Sequence, residues 1–115
     1  MENRYVRNRN INQVGSIEIF KGVFRKTLTY NKELMLCHFI MEKGAHIPLH
    51  NHKAVQNGYV IKGKIKFFKK DGSYFIAEAG ESYVFDSMEY HGSDIYEDTE
   101  LIESFYPARE EYMDK

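Results

Sequence analysis

Three histidines, His46, His50 and His52, fall between Gly44 and Lys53, and Gln56 follows closely. His50 and His52 are the pair with chemistry in their spacing. Two residues apart on an extended chain, they project to one side with Cα atoms roughly 6.5–7 Å apart, a span that two imidazoles can close around one ion at about 2.1 Å per bond. His46 projects to the same side but stands roughly 13 Å from His50, so it is expected to line the same cavity without sharing the ion. A second set lies near the end of the chain. On an alternating strand Leu101, Glu103 and Phe105 share one face, and Ile102, Ser104 and Tyr106 the other. Glu103 either faces a cavity, where an ionised carboxylate needs a partner and Arg109 is the nearest in sequence, or sits in water with Ile102 and Tyr106 turned inward. Alternation alone leaves these two readings even.

These residues need a scaffold, and the pattern from Gly15 to Tyr106 supplies one. Short runs rich in Val, Ile, Phe, Tyr and Thr alternate with Gly, Asn-Lys or Asp-Gly, which reads as all-β. Strands are expected near Ser16–Phe20, Val23–Tyr30, Leu34–Met41, Ile47–His50, Gly58–Ile61, Lys64–Lys69, Ser73–Ala77, Ser82–Phe85, Tyr90–Ser93 and Leu101–Tyr106, enough for a barrel or sandwich. Asn31-Lys32 and Asp71-Gly72 read as hairpin turns, the latter with positive φ at both positions, and Gly63 marks another reversal. In the run ending at Met41, Met35, Cys37, Phe39 and Met41 share one face while Leu36, His38 and Ile40 share the other. Both faces are largely apolar, so the strand is expected to be central, with His38 a partly buried structural histidine. The residues after Pro107 form a solvated tail or a short helical turn.

Composition narrows the class. The 115 residues carry 16 Lys+Arg against 17 Asp+Glu, with 43% hydrophobic and 15% aromatic residues, as in one ordinary globular domain. No basic excess favours a nucleic-acid partner; Arg4, Arg7 and Arg9 are the one local cluster. No apolar run approaches a membrane span and no signal-like segment opens the chain, so the expected location is cytoplasmic. A single cysteine, Cys37, excludes an intrachain disulfide and a thiolate-built zinc site. Any metal must be held by His, Asp, Glu or Gln.

The frame around the histidines is Gly44, five residues, His50-Asn51-His52, three residues, Gln56, six residues, Gly63. It resembles the first motif of the cupin family, with Gln56 where Glu is usual. Gly80 and His91 keep the spacing of the second cupin motif, in which Asp86, Met88 and Ile95 replace the usual Pro, Gly and Asn. The resemblance covers roughly Val23 to Arg109. It implies a single cupin-type double-stranded β-helix, a jelly-roll barrel, over 16–115, preceded by an N-terminal arm over 1–15. It also implies that His50, His52, Gln56 and His91 hold one divalent metal ion. Imidazoles and an amide oxygen suit Zn, Ni, Fe or Mn, so the donor set does not choose among them. The neutral Gln56 leaves the ion its full charge, which favours anionic ligands, and Gly58, on the Gln56 side of its strand, is expected to leave space beside the ion.

The terminal stretch, the histidine set and the segment from Asn57 to Gly63 together are similar to the small cupins that linearise unsaturated uronates in pectin and alginate breakdown. That group ends in Asp-x-Phe-(Ser)-Pro-x-Arg-Glu-(Asp/Glu)-Tyr. Phe105, Pro107, Arg109, Glu110, Glu111 and Tyr112 match it, while Glu103 stands for Asp and Tyr106 for Ser. The resemblance implies a metal-dependent conversion of 4,5-unsaturated uronate monomers to the linear keto form. By that resemblance Glu103 would move protons, Arg109 would hold the substrate carboxylate and Phe105 would pack on the sugar; His46, expected to line the cavity, and Tyr59 are further candidates for substrate contact. The longer Glu103 arm shifts the proton-transfer group by one methylene where reach must be about 2.6–3.2 Å. The alternatives are a module that binds a sugar acid without changing it and an oxidative cupin acting on another small molecule. Pairing of cupins through added N-terminal strands further implies a homodimer to which Ser16–Phe20 contributes.

Overall fold

The β-branched and aromatic runs do form strands, because alternating side chains of that kind pack on a pleated, half-buried surface. The computed structural model describes residues 5–114; Met1–Arg4, and with them part of the predicted arm, and Lys115 lie outside the described residues. Ten strands follow in order: β1 (Ile17–Phe20), β2 (Val23–Tyr30), β3 (Met35–Met41), β4 (His46–His50), β5 (Val55–Lys62), β6 (Lys64–Lys69), β7 (Tyr74–Glu78), β8 (Ser82–Phe85), β9 (His91–Ile95) and β10 (Thr99–Tyr106). Each matches a predicted strand. The main differences are at β5, which begins at Val55 and so includes Gln56, and at β10, which begins at Thr99.

Two antiparallel sheets result, one in the order β1-β2-β3-β10-β5-β8 and the other β4-β9-β6-β7, the two layers of a jelly roll. Met35, Cys37, Phe39 and Met41 of β3 with Leu101 and Phe105 of β10 face Ile65, Phe67 and Ile95 of the second sheet, all buried. β3 lies between β2 and β10, as its two apolar faces require. His38 turns to the other face, where its Nε2 stands 2.7 Å from Glu100 Oε2, and is only 7% exposed. It is a structural histidine.

The β6–β7 hairpin departs from expectation. Lys69 N–H donates to Ser73 O at 2.8 Å and Gly72 N–H to Lys69 O at 3.0 Å, closing a three-residue loop in which Gly72 has φ +89° and Asp71 does not enter the left-handed region. A three-residue loop needs only one such residue, and the Asp71 carboxylate instead accepts from Ser73 N–H at 2.9 Å. After the cis Tyr106–Pro107 peptide the chain forms a short 3-10 turn, Glu110–Tyr112, and Thr27 Oγ1 donates to Tyr112 O at 2.7 Å. Val6 bridges Tyr30, and Arg9 pairs with Asp114 while donating to Thr27 O at 3.0 Å, so the arm and the terminal turn meet on β2. Among the described residues no helix is long and apolar enough to cross a membrane.

Candidate metal centre

The histidines converge where β4 meets β9. The pairing runs His46 with Asp94, Ile47 with Ser93, then His50 with His91, so three steps on β4 match two on β9. A bulge of this kind inverts side-chain parity beyond it. Ile47 and His50 therefore share the inner side, and His46 is left outside. Its side chain is mostly in water, stacked on Phe68 at 5.8 Å and with Nδ1 2.7 Å from Asp94 Oδ1. The expectation that His46 lines the cavity assumed an unbroken strand. Tyr59 is not brought to the cavity either. It alternates outward from Gln56, Gly58 and Val60 on β5 and is 46% exposed.

His50, His52 and His91 place one nitrogen each within 4.8 Å of one another. Their orientation is fixed from behind. His50 Nδ1 lies 2.8 Å from Pro48 O, His52 Nδ1 2.8 Å from Ala54 O and His91 Nδ1 2.9 Å from Glu89 O. A carbonyl can only accept, so each Nδ1 carries the hydrogen and each Nε2 presents a lone pair, the arrangement that metal-binding histidines share. His91, stacked on Phe85 at 4.3 Å, leaves its Nε2 buried with no hydrogen-bond partner among the described residues. Burial lowers the His91 imidazole to about 4 and also lowers His52, which keeps both rings neutral. The fourth donor is Gln56, whose Oε1 stands 2.8 Å from His52 Nε2. With the His52 hydrogen on Nδ1, two lone pairs face each other at that distance, close to the roughly 3 Å between adjacent ligands bonded at about 2.1 Å. The donor set fits one divalent ion.

Behind Gln56 is a carboxylate. Gln56 Nε2 donates to Glu103 Oε2 at 2.8 Å, and Tyr83 Oη donates to the same oxygen at 2.6 Å. Glu103 faces inward with Leu101 and Phe105 and is 6% exposed, which decides the even alternatives of the alternation. Burial raises its carboxyl above the usual range, while the bonds from Tyr83 and Gln56 and the charge of Arg109 pull it back. The space expected beside Gly58 is filled. A Cβ there would lie 2.3 Å from Tyr83 Oη and 2.9 Å from Glu103 Cγ, so the glycine admits the phenol and the acid. Phe105, 1% exposed, meets His52 edge-on at 6.1 Å, and the Arg109 guanidinium lies 5.4 Å from the Phe105 ring. His50, Gln56, His91, Glu103, Phe105 and Arg109 all line one cavity of about 50 Å³. A larger open hollow of about 420 Å³ lies beside Tyr30 and Met35, and its lining among the described residues includes no histidine or carboxylate.

Residues 37–102 match the family described as Cupin domain. The chain is a cupin. Solved structures follow it over nearly its whole length. An RmlC-like cupin from Shewanella frigidimarina is 30% identical with a TM-score of 0.85, covering 92% of this chain and 95% of that one. KdgF from a Halomonas species is 23% identical with a TM-score of 0.85, covering 93% and 98%. Ectoine synthase from P. lautus is 18% identical with a TM-score of 0.76, covering 86% and 76%. The last two likenesses show the fold alone. No curated protein matches the chain.

In this cupin the second-motif position usually held by glycine is Met88, and its φ of +65° is the left-handed conformation that glycine adopts most easily. Met88 N–H donates to His52 O at 2.8 Å, and Asn51 Nδ2 donates to Met88 O at 3.1 Å, tying the loop before His91 to the loop carrying His52. Sequence reasoning missed Tyr83. Its parity with Phe85 on β8 marks it as inward, but nothing local tells that its hydroxyl reaches a carboxylate twenty residues on. It also missed Arg25, an arginine turned into the barrel.

Proposed function

We propose that this cupin is a metal-dependent enzyme that opens 4,5-unsaturated uronate monomers to their linear keto form. The observation that carries the reading is the contact of Glu103 with Gln56, which sets a buried acid beside the three-histidine cluster in a cavity that Arg109 also lines. His50, His52, Gln56 and His91 would hold a divalent ion, which would supply Lewis-acid polarisation of a ring or hydroxyl oxygen. Glu103 moves one proton, taken from a hydroxyl and returned at a carbon of the enol ether as the ring opens, so the product is an isomer of the substrate. Arg109 receives the substrate carboxylate with a planar fork that Lys lacks. Phe105 packs on the sugar. His46 and Tyr59 take no part in this reading, because both lie on the outer surface.

The cavity of about 50 Å³ is well below the roughly 300 Å³ at which small-molecule pockets begin. Binding on this reading therefore widens the cavity while Arg109 stays in place. The same reading takes the protein as a cytoplasmic homodimer paired through β1, which sedimentation tests.

The deciding experiment follows the ultraviolet absorbance of the unsaturated uronate with metal-analysed protein. Metal-dependent loss of absorbance, abolished in Glu103→Gln with metal content unchanged, supports the reading. Absence of turnover by fully metallated protein overturns it, and tight uronate binding without turnover then identifies a sugar-acid-binding module. Oxygen consumption would point instead to oxidative chemistry.

A further inference from the structure

Arg25 stands on β2 between Val23 and Thr27, turned into the barrel and 6% exposed. Its Nε donates to Thr27 Oγ1 at 3.1 Å, and among the described residues no carboxylate forms an ion pair with it. A guanidinium does not give up its charge, so burying one without a carboxylate is costly unless the charge is used. What it meets is Tyr112, with the guanidinium carbon 4.1 Å from the ring centroid.

Tyr112 also holds Arg109. The Arg109 guanidinium carbon lies 4.1 Å from the same ring centroid, and Arg109 Nη1 donates to Tyr112 Oη at 3.0 Å. Thr27 Oγ1, which receives the Arg25 Nε–H, donates in turn to Tyr112 O at 2.7 Å. Arg25 and Thr27 thus grip Tyr112 by its ring and its main chain, and Tyr112 fixes Arg109. Among the described residues the one acid paired with Arg109 is the exposed Glu111 at 3.4 Å, a surface contact too weak to set its position. Arg109 Nε is buried and, among the described residues, without a hydrogen-bond partner, beside the cavity that Arg109 lines.

We propose that Arg25 is a positioning residue for recognition of the ligand's carboxylate. Acting through Tyr112, it holds the Arg109 fork in place. Its charge adds to that of Arg109 and of an ion bound by neutral ligands, against the single carboxylate of Glu103. The interior therefore selects an anionic sugar over a neutral one. This assignment rests on the sugar-acid reading of the cavity.

The test compares metal-loaded wild type with Arg25→Met, and with Arg25→Lys should the first variant not fold. The readouts are kcat and KM for the unsaturated uronate, the Kd for galacturonate as a stable probe, and the Nε–H resonance of Arg109. Arg25→Met is expected to raise KM and Kd about tenfold, the size of one desolvated guanidinium–aromatic contact. Metal content and kcat stay the same, and the Arg109 resonance moves and exchanges faster. Arg25→Lys, which keeps the charge without the planar face, should show a smaller rise. Unchanged KM, Kd and resonance overturn the proposal, as does a parallel loss of kcat and metal, which marks general damage. Wild-type protein that neither binds nor converts a uronate removes the sugar-acid reading. The link from Arg25 to Arg109 then stands or falls on the resonance alone.

Discussion

Gln56 joins two kinds of chemistry through one amide, its nitrogen 2.8 Å from Glu103 Oε2 and its oxygen 2.8 Å from His52 Nε2. The amide makes the orientation self-consistent. Its N–H can only donate, so it meets the carboxylate, and its oxygen is left for the histidine side.

Gln56→Glu breaks this arrangement in a defined way. It sets two carboxylates at hydrogen-bond distance, where they cannot both be ionised and must share a proton. The added negative charge should retain a divalent ion at least as well against a chelator, while turnover falls by about tenfold or more because Glu103 no longer holds its proton independently. Metal stoichiometry after dialysis and the rate on unsaturated uronate measure the two effects. Wild-type turnover in this variant would show that catalysis does not use the contact.

Gly58→Ala should damage the site through crowding. The new Cβ meets Tyr83 Oη at 2.3 Å and Glu103 Cγ at 2.9 Å, and both side chains are buried. Overpacking of this kind costs about 1–3 kcal/mol. Urea titration should show the loss, with turnover falling further than stability alone explains because Glu103 is displaced.

Met88→Gly should stabilise the protein. The residue has φ +65° and is 55% exposed, so little packing is lost when left-handed strain is relieved. A gain of about 1 kcal/mol is expected, or roughly 4 °C in melting temperature. A lower melting temperature would mean that the Met88 side chain contributes more than its exposure suggests.

The metal-free protein should weaken in mild acid through His91. An unfolded histidine titrates near 6.5, whereas burial lowers the folded His91 to about 4. The contribution is present above pH 6.5 and is lost as pH falls toward 4, because the unfolded chain takes up a proton that the folded ring refuses. The expected loss is about 2 kcal/mol. Stability measured at both ends of this range should fall more in wild type than in His91→Gln; equal falls would remove His91 as the cause.

The fold was legible because strand periodicity, turn residues and the two-sided apolar character of β3 all pointed one way. The candidate metal-binding residues were legible for another reason: His50, His52 and Gln56 lie close in sequence, and His91 follows at a fixed spacing in a recognisable frame. What escaped was set by contacts between distant strands. The inward turn of Glu103 depends on Gly58 and Tyr83 across β5 and β8. The burial of Arg25 depends on Tyr112, 87 positions away, and β2 gives no hint of it because Arg25 and Lys26 put a charge on each of its faces. His46 was misplaced for a local reason, since a bulge leaves no mark in an apolar–polar pattern.

That bulge makes metal binding a matter of counting as well as of chemistry. Three steps from Ile47 to His50 match two from Ser93 to His91. Deleting either Pro48 or Leu49 changes no ligand, yet it evens the count and restores strict alternation. Ile47 and His50 would then stand two residues apart and would still share the inner face. A one-residue deletion here should thus spare the three-histidine cluster, and an alignment that penalised the gap would misjudge it.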